Sequence, residues 1–141
     1  MSAENVELVH RLYEAVAARD SETVLSIYHR DLVWDHSHNS EMVGLTAGQS
    51  RTYHGHDGLR RWARDFYEVF ENVQAELEEV VDLGEERVFV LLNYRAWGRV
   101  SGIEVAVIQL AGIFIIRDGQ VVRVDWYRDK AEALEDAGLT E

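Results

Sequence analysis

The short run of residues 32–36 ends on the side chain best suited to proton transfer. Successive side chains of a strand point to opposite faces, so Leu32, Trp34 and His36 share one side, to which His38 could also belong. Burial against Trp34 is expected to lower the pKa of His36, which keeps the imidazole neutral and able to accept a proton. This pattern offers His36 as a general base. The alternative is a core or loop-end histidine that bonds only to the backbone.

A second polar pair interrupts an apolar run. The odd-numbered positions of residues 88–97 share one face of a predicted strand, with Asn93 and Arg95 in its middle, while the even-numbered face suits a second packed layer or a dimer surface. A buried guanidinium needs a partner, so Arg95 predicts an internal carboxylate or an anionic or carbonyl-bearing ligand. The candidate carboxylates are Asp35, Glu41 and Asp125. An arginine that reaches water near a strand end is an equally open interpretation.

Two His-x-His pairs, at residues 36–38 and 54–56, have a spacing that metal sites use on strands. Nothing in the sequence selects a metal, and polar loop histidines explain the pairs as well. We therefore expect neither a metal nor an organic cofactor. The chain has no cysteine, which excludes disulfides, thiol nucleophiles and Cys-ligated zinc.

The elements that must position these side chains fall into two halves. Apolar residues recur at helical spacing in residues 6–16, 24–28 and 59–70, and residues 37–53 form a polar segment without a period, which could act as a lid. Four β-prone runs, residues 73–82, 87–100, 103–117 and 121–128, then precede a short terminal helix at 131–137. Helices followed by antiparallel strands indicate the α+β class, in which no dinucleotide-binding fold is implied.

Length and charge narrow the classes of function. The chain has 141 residues, which predicts one domain spanning 1–141. Its net charge of -12 repels phosphate backbones and anionic lipids, so we expect no nucleic-acid partner and no membrane anchor. No targeting segment or membrane-length apolar stretch is visible, which makes a soluble cytoplasmic protein the expectation.

Two motifs add a resemblance to a known family. The third helix opens with YHGHDG at residues 53–58, and a hairpin reads RDGQVVRV at residues 117–124, followed by Asp129, Ala133-Leu134 and Ala137-Gly138-Leu139. With the element order, these motifs resemble the SnoaL-like branch of the nuclear transport factor 2-like superfamily over almost the whole chain. The resemblance implies a cone-shaped curved antiparallel sheet wrapped around three helices and a central blind apolar pocket. It also implies a homodimer through the outer sheet face.

The resemblance also implies where a site would lie. His36 falls where isomerase relatives carry their base, and Asn93 and Arg95 fall on a polar cluster of the epoxide-hydrolase relatives, with Tyr53 as a further orienting group. The residues expected to line the pocket are Trp34, Trp62, Phe66, Trp97, Ala111 and Trp126.

The departures from these relatives are as informative as the matches. The oxyanion donors of ketosteroid isomerases fall on Leu12 and Ala111, with Tyr13 on a different helix face, and the epoxide-hydrolase triad falls on Asn93, Arg95 and Trp126, so neither set is expected here. The sequence therefore predicts an enzyme that performs cofactor-free acid–base chemistry, whether isomerisation, cyclisation, dehydration or hydrolysis, on a small lipophilic cyclic substrate. A non-catalytic module that binds a small ligand or dimerises is the alternative.

Overall fold

The computed structural model describes residues 2–38, 52–98, 104–127 and 129–138. The elements in these ranges are, in chain order, α1 (Ser2–Ala17), α2 (Ser21–Ile27), β1 (Tyr28–His38), β2 (Thr52–His54), α3 (Gly55–Val69), β3 (Phe70–Gly84), β4 (Arg87–Gly98), β5 (Glu104–Arg117), β6 (Gln120–Tyr127) and α4 (Lys130–Asp136). The predicted α+β class is confirmed, and so is the order of helices before strands.

The strands form one open, curved sheet in the order β2-β1-β6-β5-β4-β3. The pairs β3–β4, β4–β5 and β5–β6 are antiparallel neighbours along the chain, as the turn signals predict. The pair β1–β6 is parallel, so the sheet is mixed and not purely antiparallel. Hairpin signals reveal only pairs of consecutive strands, and these two strands are separated by most of the sequence.

The two faces of the sheet carry separate apolar clusters. Even-numbered residues of β4, such as Val90 and Leu92, pack in the main core with the apolar stripes of α1 and α3. Odd-numbered residues of β4 lie on the other face, where α4 covers a smaller group. We call this group the outer cluster; its buried members are Phe89, Leu91, Ala111, Ile113, Tyr127 and Ala133.

Local sequence explains how the inner layer is held. In α1, Val9 and Leu12 recur at helical spacing and are fully buried against the sheet. In α3, Trp62 and Phe66 lie one turn apart, and their rings stack at 5.2 Å between centroids. Phe70, which the sequence pattern assigned to this helix, is the first residue of β3 and extends the aromatic contact at 5.0 Å from Phe66.

The predicted polar segment of residues 37–53 is described only at its ends. Ser37 and His38 complete β1, and Thr52 and Tyr53 belong to the short strand β2 that pairs with β1. The part that could act as a lid, together with Glu41, lies outside the described residues.

Candidate functional site

A cavity of about 450 Å³ lies between the inner helices and the concave face of the sheet. Its volume falls in the range of small-molecule sites. Seven aromatic side chains line it, from α1, β1, α3 and β4: Tyr13, Tyr28, Trp34, Trp62, Phe66, Tyr67 and Tyr94. Three of them, Trp34, Trp62 and Phe66, are pocket residues that the sequence predicted.

Tyrosine hydroxyls are the main polar groups deep in this cavity. The hydroxyl groups of Tyr13 and Tyr28 lie close enough to influence each other's ionisation, and the charge of Tyr94 would interact with that of Tyr28. Burial raises the pKa of all three side chains far above the ordinary value, so each keeps its proton at neutral pH. The cavity therefore presents neutral hydroxyl donors within an apolar, aromatic wall.

The sequence placed Tyr13 on a different helix face from Leu12 and did not count it as a site residue; in the structure its side chain is buried and lines the cavity. Leu12, its neighbour, is fully buried as well, because the apolar stripe of α1 is wide enough to include both residues. A tyrosine on a buried stripe needs a partner for its hydroxyl, and Tyr13, Tyr28 and Tyr94 all occupy inward positions.

The mouth of the cavity is at the turn between α1 and α2. The wall residues here are exposed, in contrast to the buried aromatic residues deeper in: Ala17, Arg19, Asp20, Ser21 and, from β3, Gln74. The side chain of Asp20 caps α2, because one carboxylate oxygen accepts from the backbone N–H of Thr23 and the other from its hydroxyl. These bonds to Thr23 lower the pKa of Asp20.

His36 is buried and neutral, as predicted, but its surroundings differ from those of a free base. The indole N–H of Trp34 donates to Nε2 of His36 at 2.9 Å, so the proton of the neutral ring is on Nδ1. Burial lowers the pKa of His36 to about 4, although the nearby Asp35 carboxylate acts in the opposite direction. The nitrogen that could accept a proton is therefore already occupied.

The imidazole of His36 is also enclosed by indole rings. It stacks between Trp62 and Trp126, with ring centroids 6.0 and 6.2 Å away. Among the described residues, Nδ1 of His36 and the indole nitrogens of Trp62 and Trp126 have no hydrogen-bond partner. His36 and Trp126 do not belong to the cavity wall; they contact Trp34 and Trp62, which do.

The structure places Asn93 and Arg95 on the opposite face of the sheet, which corrects the prediction that they face the pocket. Asn93 donates to Glu78 at 2.8 Å and accepts from Gln109 at 3.2 Å, in an exposed network. Arg95 is exposed, and its guanidinium lies 5.4 Å from the ring centroid of Trp97. Alternation along β4 shows that odd- and even-numbered side chains lie on opposite faces, but not which face is turned to the cavity. From the sequence the even-numbered face was assigned to the outer side, and in the structure it faces the main core.

Three further expectations on position are corrected in the same way. Ala111 belongs to the outer cluster, and Trp97 shares the outer face with Arg95, so neither lines the cavity. The carboxylates expected near Arg95 bind another arginine: Nη2 of Arg123 lies 3.0 Å from Asp35 and 2.9 Å from Asp125.

Tyr53 and the histidine pairs have structural contacts. Tyr53 pairs with Trp34 across β1 and β2, is buried in the main core, and carries the guanidinium of Arg61 at 5.2 Å over its ring. Nε2 of His56 lies 2.7 Å from the carbonyl oxygen of Tyr28 and so ties α3 to β1. Within the described residues, no group of three His, Asp or Glu side chains is arranged to hold a metal ion. No helix in the described ranges is long and apolar enough to cross a membrane.

Sequence comparison decides the family. A sequence profile of the SnoaL-like domain matches residues 9–124. The chain belongs to the SnoaL-like family. Among curated proteins, none matches this sequence.

Solved structures show the same SnoaL-like fold over nearly the full chain. An NTF2-like protein of unknown function from Burkholderia pseudomallei is 27% identical, with a TM-score of 0.74 and coverage of 96% of this chain and 97% of that one. TerC, co-crystallised with polyporic acid, is 24% identical, with a TM-score of 0.73 and coverage of 94% and 96%. A protein with a ketosteroid isomerase-like fold from Catenulispora acidiphila, in complex with trimethylamine, is 17% identical, with a TM-score of 0.66 and coverage of 94% and 93%. Solved structures of this fold also include proteins named as polyketide cyclases and as an isomerase.

Proposed function

We propose that this SnoaL-like chain binds a small lipophilic cyclic compound in its cavity and performs cofactor-free acid–base chemistry at a carbonyl group of that compound. The reaction class is that of the isomerases and cyclases of the fold. The observation that carries the proposal is the position of the Tyr13 and Tyr28 hydroxyls, both protonated, in the wall of a largely apolar, aromatic cavity.

The chemistry follows from the protonated state of the tyrosines. Because burial raises the pKa of Tyr13 and Tyr28, their hydroxyls donate hydrogen bonds and do not ionise. Donation to a carbonyl oxygen polarises the C=O bond and stabilises the negative charge that develops on this oxygen when the α-carbon loses a proton and the enolate forms. The aromatic wall lowers the local dielectric and strengthens this interaction.

The described residues of the cavity wall do not include a strong general base. His36 does not line the cavity, and its Nε2 accepts the Trp34 N–H. Of the described cavity residues, Asp20 is the carboxylate, and it lies at the mouth with its pKa lowered, which makes it a weak base. We propose that water at the mouth relays the proton to the Asp20 carboxylate, which remains a much stronger base than water even with a lowered pKa.

The same weakness favours a second candidate, a binding module that holds such a compound without converting it. The tyrosine hydroxyls would then fix the orientation of the ligand, and the aromatic wall would supply most of the affinity. Homodimerisation through the outer face, expected from the family, stays a prediction in both cases.

Exchange of the α-protons of 2-tetralone in D₂O, followed by NMR, separates the two candidates. We expect the protein to accelerate exchange and the substitution Tyr28→Phe to reduce the enzymatic rate by about tenfold or more. Tyr127→Phe is the matched control, because Tyr127 lies in the outer cluster and bonds to Asp136. If wild type binds 2-tetralone without accelerating exchange, the enzymatic proposal fails and the binding module stands.

A further inference from the structure

We infer that the cavity selects lipophilic carboxylic acids: the cyclic body occupies the aromatic interior, and the carboxylate lies at the mouth against Arg19. This inference rests on the proposed function, since it names the class of compound that the same cavity takes. The sequence suggested that Arg95 binds an anionic ligand, but Arg95 lies on the outer face. We assign this role to Arg19, which borders the cavity.

The position of Arg19 carries the first part of the argument. Arg19 is the basic residue among the described residues of the cavity wall, and it is exposed at the mouth. It has no ion pair with any described residue, whereas Arg117 and Arg123 each bind a carboxylate. A guanidinium in this state is able to pair with a ligand carboxylate without first giving up a partner.

The backbone at Arg19 supplies a second way to test this assignment. Its φ of 59° lies in the left-handed region, at the turn that ends α1, where the N–H of Arg19 bonds to Val16 and that of Asp20 bonds to Ala15. Glycine is the usual residue at such a helix end, because a side chain there is strained. The turn residues Glu85, Glu86 and Asp118 share this conformation away from the cavity, so the strain does not itself mark a site, but it lets a glycine replace Arg19 without loss of stability.

The negative charge of Asp20, beside Arg19, would repel a ligand carboxylate and so opposes this assignment. Both of its carboxylate oxygens accept hydrogen bonds from Thr23, so they are directed to the first turn of α2. The net charge of -12 also disfavours anions at long range, but screening limits that effect to about 8 Å at physiological salt. The local guanidinium is therefore the feature that distinguishes an acid from its neutral analogue.

A matched pair of ligands tests the inference: 4-benzoylbenzoic acid and 4-benzoylbenzamide, with both affinities measured by calorimetry at pH 7. Both carry the same ketone and rings, so their ratio isolates the charge. We expect wild type to prefer the acid, and Arg19→Gln to lower the ratio of acid to amide affinity by about two- to fivefold. Raising the salt concentration should lower the wild-type ratio in the same direction.

Two further variants make the result decisive. Arg11→Gln removes an equal charge from the exposed face of α1, away from the cavity wall, and should keep the wild-type ratio. Arg19→Gly removes the strained side chain, so it should raise the Tm and still lose the preference for the acid. Such a variant cannot be dismissed as poorly folded.

Three outcomes overturn the inference. The first is an unchanged ratio in Arg19→Gln, and the second is an equal loss of preference in Arg11→Gln, which would assign the effect to net charge. In both cases the amide still binds, so the proposed function survives. If neither probe binds, the proposed function itself fails, and the inference fails with it.

Discussion

The indole N–H of Trp34 donates to Nε2 of His36 at 2.9 Å, and both rings are buried. An indole nitrogen can only donate, so this bond requires an unprotonated Nε2 and favours the neutral imidazole. The same bond that orients His36 removes the lone pair that a general base would use. His36 is therefore a neutral part of the core beneath Trp34 and Trp62.

This burial predicts an acid-sensitive fold. The pKa of His36 is about 4 in the folded chain against the usual 6.5, so the unfolded state binds more protons between these values. Stability is unaffected by His36 above about pH 6.5 and decreases as the pH falls from 6.5 to 4, by on the order of 3 kcal/mol. Urea denaturation between pH 7 and pH 4 measures this decrease.

His36→Phe separates the titration from the packing. The variant loses about 1–3 kcal/mol at all pH values, because the Trp34 N–H has no acceptor, but its stability should fall less steeply below pH 6.5. His54→Gln, at the exposed end of β2, is the control and should follow wild type. Parallel curves for wild type and His36→Phe would refute the buried neutral state.

Arg123 lies on β6 and links this strand to β1 through an ion pair with Asp35. Its guanidinium bonds to Asp35 of β1 and Asp125 of β6, whose side chains are only 12% and 17% exposed. Arg123→Met leaves two largely buried negative charges together, so we expect a loss of about 1–3 kcal/mol in the free energy of unfolding. Arg117→Gln, which breaks an exposed pair with Glu86, should cost less than about 1 kcal/mol. Equal losses in the two variants would contradict the role of Arg123.

The outer-face position of Asn93 and Arg95 gives a prediction of no effect. Asn93→Ala and Arg95→Ala should leave the affinity for benzophenone and the exchange rate of 2-tetralone within about twofold of wild type, because the sheet separates both side chains from the cavity. Trp62→Ala, which removes part of the cavity wall, is the positive control. A loss of exchange in Arg95→Ala comparable to that in Tyr28→Phe would show that the polar face of β4 takes part in the chemistry.

Local periodicity predicted the elements of this fold well, and it also placed Trp34, His36 and Trp126 on the inward side of their strands. It could not choose between the two faces of β4, since both are rich in apolar residues. The outer cluster is apolar because α4 covers it, and that contact joins residues about 40 positions apart. Asn93 and Arg95 were assigned to the cavity for this reason, and because they fall on a polar cluster of the epoxide-hydrolase relatives.

The sequence did not predict the cluster of Tyr13, Tyr28 and Tyr94 for a related reason. Tyr13, Tyr28 and Tyr94 belong to three different elements, and no short motif connects them. Each was plausible as an ordinary core residue, and only the fold shows that they share one cavity. The His-x-His pairs are conspicuous in the sequence, but their described side chains do not come together in the structure. His36 is buried in the core, and His56 contacts β1 from α3.

The central claim is that Tyr13 and Tyr28 donate to the carbonyl oxygen of a bound ligand. The infrared C=O stretching frequency of benzophenone in the cavity tests it most directly, because hydrogen bonding lowers this frequency. We predict a lower frequency in wild type than in cyclohexane, a rise toward the cyclohexane value in Tyr13→Phe and Tyr28→Phe, and no change in Tyr127→Phe. A wild-type frequency equal to that in cyclohexane, with benzophenone bound, would contradict the account.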